Sequence, residues 1–414
     1  MLNILINAYA VAPNWGSEQG MGWNWVINIA KYCKCYVITE GEWQKEIEEA
    51  VKQLPQKDNI IFYYNPVSEK VRKMCWNQGD WRFYYYYRLW QKKTLKIAKD
   101  ICKEHKIDVI HQLNMVGFRE PGLLWKIDGI PYVWGPVGGM ENIPTSYLKN
   151  ATLKQSIFCR IKNTINTIQY KFQPNVRRAI KHSNVLISAV KGVEKVFKDV
   201  YNRDSILINE TGCNITPCIY DRKTAKEGDS TFNIIWVGKF DFRKQLEIAL
   251  YTIAKLKSLN IKLHICGSGS ESQIKKYKDI CNKLNINDKC IWYGKTENKA
   301  VLELMQRMDI FLFTSINDLT STVVLEAIQN SLPIVCHDIC GFGNIVDNRI
   351  GRKITLKTPD DSINDFATVI KELYSNRQIL VDMQENFKSV AKELTYESKA
   401  KKMCYIYDEI VKQI

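Results

Sequence analysis

The sequence predicts an α/β protein with two doubly wound parallel-sheet domains. Short apolar runs of strand length alternate with helical stretches from one end of the chain to the other, the pattern of successive βαβ units. The 414 residues exceed one ordinary hydrophobic core and suit two. A segment at 209–230, carrying Gly212, Pro217, Gly228 and several charges, interrupts the alternation, which then restarts. It reads as a linker between domains at 1–212 and 213–394.

The first half offers strands at 3–8, 35–39, 60–64, 109–112, 132–134, 185–188 and 206–208. Most are apolar runs, as expected for parallel strands buried on both faces. Between the first two, Trp25, Val26, Ile29, Ala30 and Cys33 recur at helical spacing on one face. The second half offers strands at 232–237, 262–266, 290–293, 310–313 and 334–336. Helical spacing returns between them, as in Val301, Leu302, Leu304, Met305 and Met308. Three helices, near 359–375, 378–393 and 395–413, close the chain.

Composition narrows the function classes. Apolar content of 45% and charged content of 25% are those of a soluble globular protein, and no apolar run is long enough to cross a bilayer. The N-terminus enters a strand at once, so no signal peptide is read. Thirteen cysteines at irregular spacing, with no CxxC pair, suit reduced thiols and no zinc framework. The net charge of +15 is uneven: residues 1–210 carry 30 Lys+Arg against 19 Asp+Glu, and 142–193 carry nine basic residues and no acidic one. Nucleic acid, anionic lipid, a phosphorylated substrate or plain lysine-rich composition would each account for this.

The chemistry centres on 311–335. It reads as strand, polar loop, helix and second strand, with Thr320, Ser321 and Thr322 as N-cap candidates and Pro333 ending the helix. A loop leaving the carboxyl end of a parallel strand for a helix N-terminus is a phosphate site in doubly wound sheets. Asp318 stands in the loop. Glu326 stands among Val324, Leu325, Ala327 and Ile328, where a carboxylate needs a partner.

Four other stretches stand at strand ends. Gly16, Ser17, Glu18, Gly20 and Gly22 lie in the first loop, where glycine lets backbone approach a ligand. Lys239, Arg243 and Lys244 follow the first strand of the second half, and cations there suit a pyrophosphate. Gly267-Ser-Gly269 resembles GxGxxG but has Ser272 at the third glycine. His111 ends a strand, Arg119 follows it, and Gly138 and Gly139 turn the chain after the next strand. Away from these, Trp81–Lys93 interleaves aromatic and basic residues on a helix, a composition for a membrane interface, a nucleic-acid surface or simply core. GxxxxGK[ST], HExxH and DxD are all missing, so cations and helix ends are left to neutralise phosphate.

Taken together, Gly238-Lys239, Lys244, Gly267-Ser-Gly269, Tyr293-Gly294, Asp318-x7-Glu326 and Pro333-Ile-Val resemble the C-terminal domain of glycosyltransferase family 4 (group 1), of the GT-B fold. The Gly16–Gly20 loop and His111 resemble its N-terminal half. The resemblance implies two Rossmann-like domains facing across a cleft, with the last helix, 395–414, crossing back to an acceptor-side domain at 1–212. The domain at 213–394 would bind the nucleotide sugar. It implies a metal-independent, retaining hexosyltransferase acting on a glycan or lipid-linked acceptor in polysaccharide or lipopolysaccharide synthesis.

No cofactor is implied; the UDP- or GDP-linked sugar is a substrate. Lys239, Arg243, Lys244, Gly267, Gly294, Thr322, Val323 and Glu326 would hold the donor, with His111, Asp318 and Lys244 catalytic. Gly16, Ser17, Glu18, Gly20, Arg119, Gly138 and Gly139 would line the acceptor side. The expected place is the cytoplasm, at the inner face of the membrane if its anionic surface is a partner; no nucleic-acid partner is expected. Three departures stand out: Asp318 where the family has Glu, Lys239 where it has Arg, and Gln245 where it has Gly. A nucleotide-sugar epimerase or phosphorylase of the same fold, a nicotinamide-dependent dehydrogenase using Gly267-Ser-Gly269, and a non-catalytic nucleic-acid-binding protein are the competing readings.

Overall fold

A computed structural model describes residues 1–77, 80–213 and 231–413. The proposed linker falls largely outside the described residues. The chain divides into two compact units: Met1–Met140 with Ile165–Asn214 and Thr395–Ile414, and Glu141–Thr164 with Ile215–Leu394. Residues 141–164 therefore group with the second unit, although the sequence places them in the first.

The first unit holds seven strands: β1 (Asn3–Ala8), β2 (Lys34–Thr39), β3 (Ile60–Tyr64), β4 (Val109–Asn114), β5 (Tyr132–Val137), β6 (Val185–Ser188) and β7 (Ile206–Leu207). Their order is β3-β2-β1-β4-β5-β6-β7, with every pair parallel. Ile4, Leu5, Ile6, Val109, Ile110 and Val133 are fully buried, as a sheet covered on both faces demands. The last helix, Tyr396–Lys412, packs on Ser17–Ile29 in this same unit. Trp25 meets Tyr396 edge-on and donates its indole N–H to Glu210 O at 2.7 Å. Lys399, buried in the same seam, donates to Asn209 O and Thr211 O.

The second unit holds β8 (Phe232–Val237), β9 (Ile261–Cys266), β10 (Cys290–Gly294), β11 (Ile310–Phe313), β12 (Ile334–His337) and β13 (Gly351–Ile354). The order β10-β9-β8-β11-β12-β13 is again parallel throughout. The sequence reading missed β13 because Gly-Arg-Lys-Ile has no apolar run; it is an edge strand, paired only with β12 among the described residues. Each sheet reverses its winding beside its first strand, between β1 and β4 and between β8 and β11. Ligands of doubly wound sheets sit at the carboxyl ends there.

Candidate functional site

In the second unit, the loops leaving β8 and β11 come together at that reversal. After β8, Asp241 caps a short 3-10 turn at Phe242–Lys244 by accepting the backbone N–H groups of Arg243 and Lys244. Thr314, at the end of β11, donates its hydroxyl to Lys244 O at 2.8 Å and receives the Trp236 indole N–H at 3.0 Å. Ile316 N–H donates to Arg243 O at 2.8 Å. The two loops are thus one hydrogen-bonded body. Gln245 sits in the left-handed region, φ 50° and ψ 46°, a conformation glycine takes without strain and that a side chain holds here.

This framework sets the central pair. Lys244 Nζ lies 2.6 Å from Asp318 Oδ2, with side chains only 13% and 25% exposed, and 4.8 Å above the Phe313 ring. An ammonium carries three donors, so holding Asp318 leaves others for phosphate oxygens. Asp318 is fixed further: its N–H reaches Cys340 Sγ at 3.4 Å, and its Oδ1 accepts Leu319 N–H at 3.0 Å. Gly341 lies where a Cβ would be 2.2 Å from Thr320 Oγ1, so the loops after β11 and β12 press together. Lys239 is exposed, and Arg243 pairs with Asp241 at 3.1 Å.

The helix after β11 runs Thr322–Gln329, with Ser321 as N-cap in extended conformation and no side-chain cap hydrogen bond. Thr322 and Val323 occupy its first turn, where amides favour an anion. Glu326 has the partner its setting demands, accepting from Asn298 Nδ2 at 2.9 Å. Burial raises its carboxyl above the ordinary value, and the Asn298 hydrogen bond opposes that rise. Gly267 approaches the loop after β8 so closely that a Cβ would sit 2.0 Å from Gly238 O. Gly294 turns the chain at φ +69°.

Asn298 and Cys340 carry no signal in the sequence, because a partner supplied by another element leaves no spacing pattern. His337 is another such residue. It is fully buried at the end of β12, donates from Nδ1 to Ser315 O at 3.1 Å, and meets Tyr147 Oη and Ser362 Oγ through Nε2. It anchors the β11 loop from below.

The Gly267-Ser-Gly269 loop is a helix start. Ser270 caps Glu271–Leu284 in a full capping box with Gln273, and Ser272 lies within its first turn. A Cβ on Gly269 would meet Gln273 Oε1 at 2.6 Å, so this glycine serves local packing.

In the first unit the loops after β1, β4 and β5 also converge. Gly16 is the N-cap of Ser17–Ile29, Ser17 has φ 54°, and a Cβ on Gly20 would overlap Trp15 O. Glu18 Oε1 accepts Val116 N–H at 3.2 Å, while burial pushes its carboxyl up to about 7. Gly138 N–H donates to Val116 O at 2.8 Å, and Gly139 turns at φ +83°. Arg119 stacks on Phe118 and donates to Gln169 Oε1 at 2.7 Å and Asn166 Oδ1 at 2.5 Å. Burial lowers its guanidinium below the ordinary value.

His111 departs from the catalytic expectation. It is fully buried, Nε2 donates to Gly135 O at 2.7 Å, and Nδ1 accepts from Tyr407 Oη at 2.5 Å. Burial holds the ring neutral, with its pKa lowered to about 4. Both nitrogens are committed within the unit, so His111 ties β4 to the last helix and leaves no nitrogen for a substrate. The aromatic–basic helix, Arg82–Glu104, divides by face. Phe83, Tyr87 and Trp90 pack around Tyr9, while Trp81, Tyr84, Tyr85 and Leu89 point outward.

Residues 220–393 match the family model described as Glycosyl transferases group 1. The chain is 30% identical over 153 residues to the lipopolysaccharide 1,6-galactosyltransferase of Escherichia coli, an alignment covering 36% of this chain and 41% of the relative. The chain spans less than half the length of the curated relatives it matches first. A glycosyltransferase structure from Rickettsia africae superposes with TM-score 0.62 at 16% identity, covering 100% of this chain and 99% of that one. Anabaena HepE in complex with UDP superposes with TM-score 0.56 at 13% identity, covering 99% and 100%. The fold is GT-B.

Proposed function

We propose that this chain is a metal-independent, retaining glycosyltransferase moving a hexose from a nucleotide sugar to a glycan or lipid-linked acceptor. The observation that carries the reading is the Lys244–Asp318 pair at the β8/β11 reversal, with Glu326 one turn along the next helix. The group 1 family match over the same unit and the UDP complex of a structural neighbour support a nucleoside-diphosphate donor. The galactosyltransferase relative supports lipopolysaccharide or surface-polysaccharide synthesis, and we place that work at the inner face of a membrane.

Each residue then has a task. Lys244, with Lys239 and Arg243, holds the diphosphate and balances charge on the leaving group. The amides at Thr322 and Val323 add the positive end of their helix. Glu326 accepts hydrogen bonds from the ribose hydroxyls, and its half-buried setting strengthens each such bond. Asp318, held by Lys244, orients the sugar ring. Gly267 and Gly294 let backbone approach the nucleotide. The first unit's Gly16–Gly20 loop, Arg119, Gly138 and Gly139 serve the acceptor side.

The test is hydrolytic release of nucleoside diphosphate from UDP- and GDP-sugars, with water taking the sugar in place of the acceptor, in chelator, by wild type, Lys244→Ala and Glu326→Ala. Wild-type turnover that falls about a hundredfold or more in each variant is expected. Full activity in both variants would remove the site assignment, and dependence on added divalent metal would contradict its electrostatics.

A further inference from the structure

The first unit carries a further surface beside its strand-end loops. Trp81 is 77% exposed, Tyr85 62% and Phe172 63%, and Tyr84 and Ile168 are exposed beside them. Together they line a groove of about 670 Å3, with Arg88 and Arg119 in its wall. Phe172 also borders a neighbouring groove of about 490 Å3, lined by Arg177, Arg178, Lys181 and Arg203. An aromatic floor therefore passes directly into a cationic one. Within this unit the exposed apolar residues Ile165, Ile168 and Phe172 recur three and four apart on one face of the helix Leu153–Phe172. Contiguous exposed apolar surface of this kind marks an interaction site.

Charge selects the occupant. The helix has Lys154, Arg160, Lys162 and Lys171 and no acidic residue, and 142–193 has none either. Glu120, the carboxylate that lines the aromatic groove, is already paired with Arg88 at 2.5 Å. A second copy would set like charge against like. An anionic bilayer offers hydrocarbon for the aromatics and phosphate for the cations, with Trp and Tyr at the depth they favour.

We infer that this face, Trp81, Tyr84, Tyr85, Ile168 and Phe172 with Arg177, Arg178 and Lys181 beside them, docks the protein on an anionic lipid bilayer. The inference deepens the membrane-side reading under the proposed function and rests on it only in taking a bilayer as the site of action. No helix among the described residues is long and apolar enough to cross a membrane, so the contact is interfacial.

The test is co-sedimentation of the full chain with vesicles of phosphatidylcholine alone, or with about one quarter phosphatidylglycerol to supply the surface charge. Binding to anionic vesicles about tenfold or more above neutral ones is expected, weakening as salt rises. Trp81→Ala/Tyr85→Ala/Phe172→Ala should lower it about tenfold or more. Arg177→Ala/Arg178→Ala should lower it about fivefold for each cation removed. Equal binding to both vesicles, binding to neither, or binding untouched by both variants overturns the inference. So does a lipid-free dimer that the triple variant dissolves. Nucleoside-diphosphate release on the same preparations separates the two claims. Wild type that turns over but binds no anionic vesicle overturns the docking face alone, and wild type that binds vesicles without turnover overturns the transferase reading alone.

Discussion

Replacing Lys244 by Met tests whether the Lys244–Asp318 pair organises the second unit before any substrate arrives. The side chains are similar in length, so packing over the Phe313 ring is largely kept while the charge goes. A charge-assisted hydrogen bond contributes about 1.5–3 kcal/mol when well shielded. At 13% and 25% exposure water screens part of it, so we expect a loss of about 1–2 kcal/mol. For a domain of this size that is a fall in Tm of about 2–8 °C. Asp318→Asn should cost a similar amount. The double variant should cost less than the sum, with a coupling of about 1–2 kcal/mol in a denaturant-unfolding cycle. Additivity to within about 0.5 kcal/mol would refute the reasoning, because residues that truly share a contact do not add.

Other perturbations reach the remaining elements. Tyr407→Phe strips the donor from His111 Nδ1 and should cost about 1–3 kcal/mol in unfolding experiments, with nucleotide affinity unchanged. Gln245→Gly should stay within about 1 kcal/mol of wild type, since glycine relieves the left-handed strain and loses the Gln245–Phe242 hydrogen bond; Gln245→Val should cost about 1–2 kcal/mol more, read by thermal melts. Glu18 has a folded pKa raised to about 7, so the folded state binds the extra proton between about 4.5 and 7 and stability falls as pH rises through that window. Glu18→Gln should flatten that part of a Tm-against-pH profile. Glu326→Gln should keep the Asn298 hydrogen bond, remove the desolvation cost of the half-buried charge and raise Tm slightly at neutral pH, while weakening nucleotide binding.

The parallel sheets were legible because a strand buried on both faces is written as an apolar run. β1, β3, β6, β8 and β11 begin and end where those runs do. β13 was not legible, because an edge strand needs no such run. The helix after β11 was legible from its polar loop, Ser321 and Pro333, and those signals place Asp318 and Glu326 near a helix N-terminus. What the sequence withheld was partnership across elements. Asn298, Cys340 and Thr314 take their meaning only from the residues the fold sets beside them. His111 misled for a related reason: β4 runs on to Asn114, which sets the histidine inside the strand, and Tyr407, 296 residues away, closes it. The division of Arg82–Glu104 into a buried and an exposed aromatic face likewise depends on Tyr9, from another element.

The central claim is that the second unit is a nucleoside-diphosphate-sugar site built on Lys244, Asp318 and Glu326. Its most direct test is a thermal-shift titration in chelator with UDP, GDP, ADP, their sugars and the nicotinamide dinucleotides, for wild type and Lys244→Met. Stabilisation of wild type by one nucleoside diphosphate and its sugar, lost in Lys244→Met, is the predicted result. Stabilisation by a nicotinamide dinucleotide alone, or an undiminished shift in Lys244→Met, would contradict it.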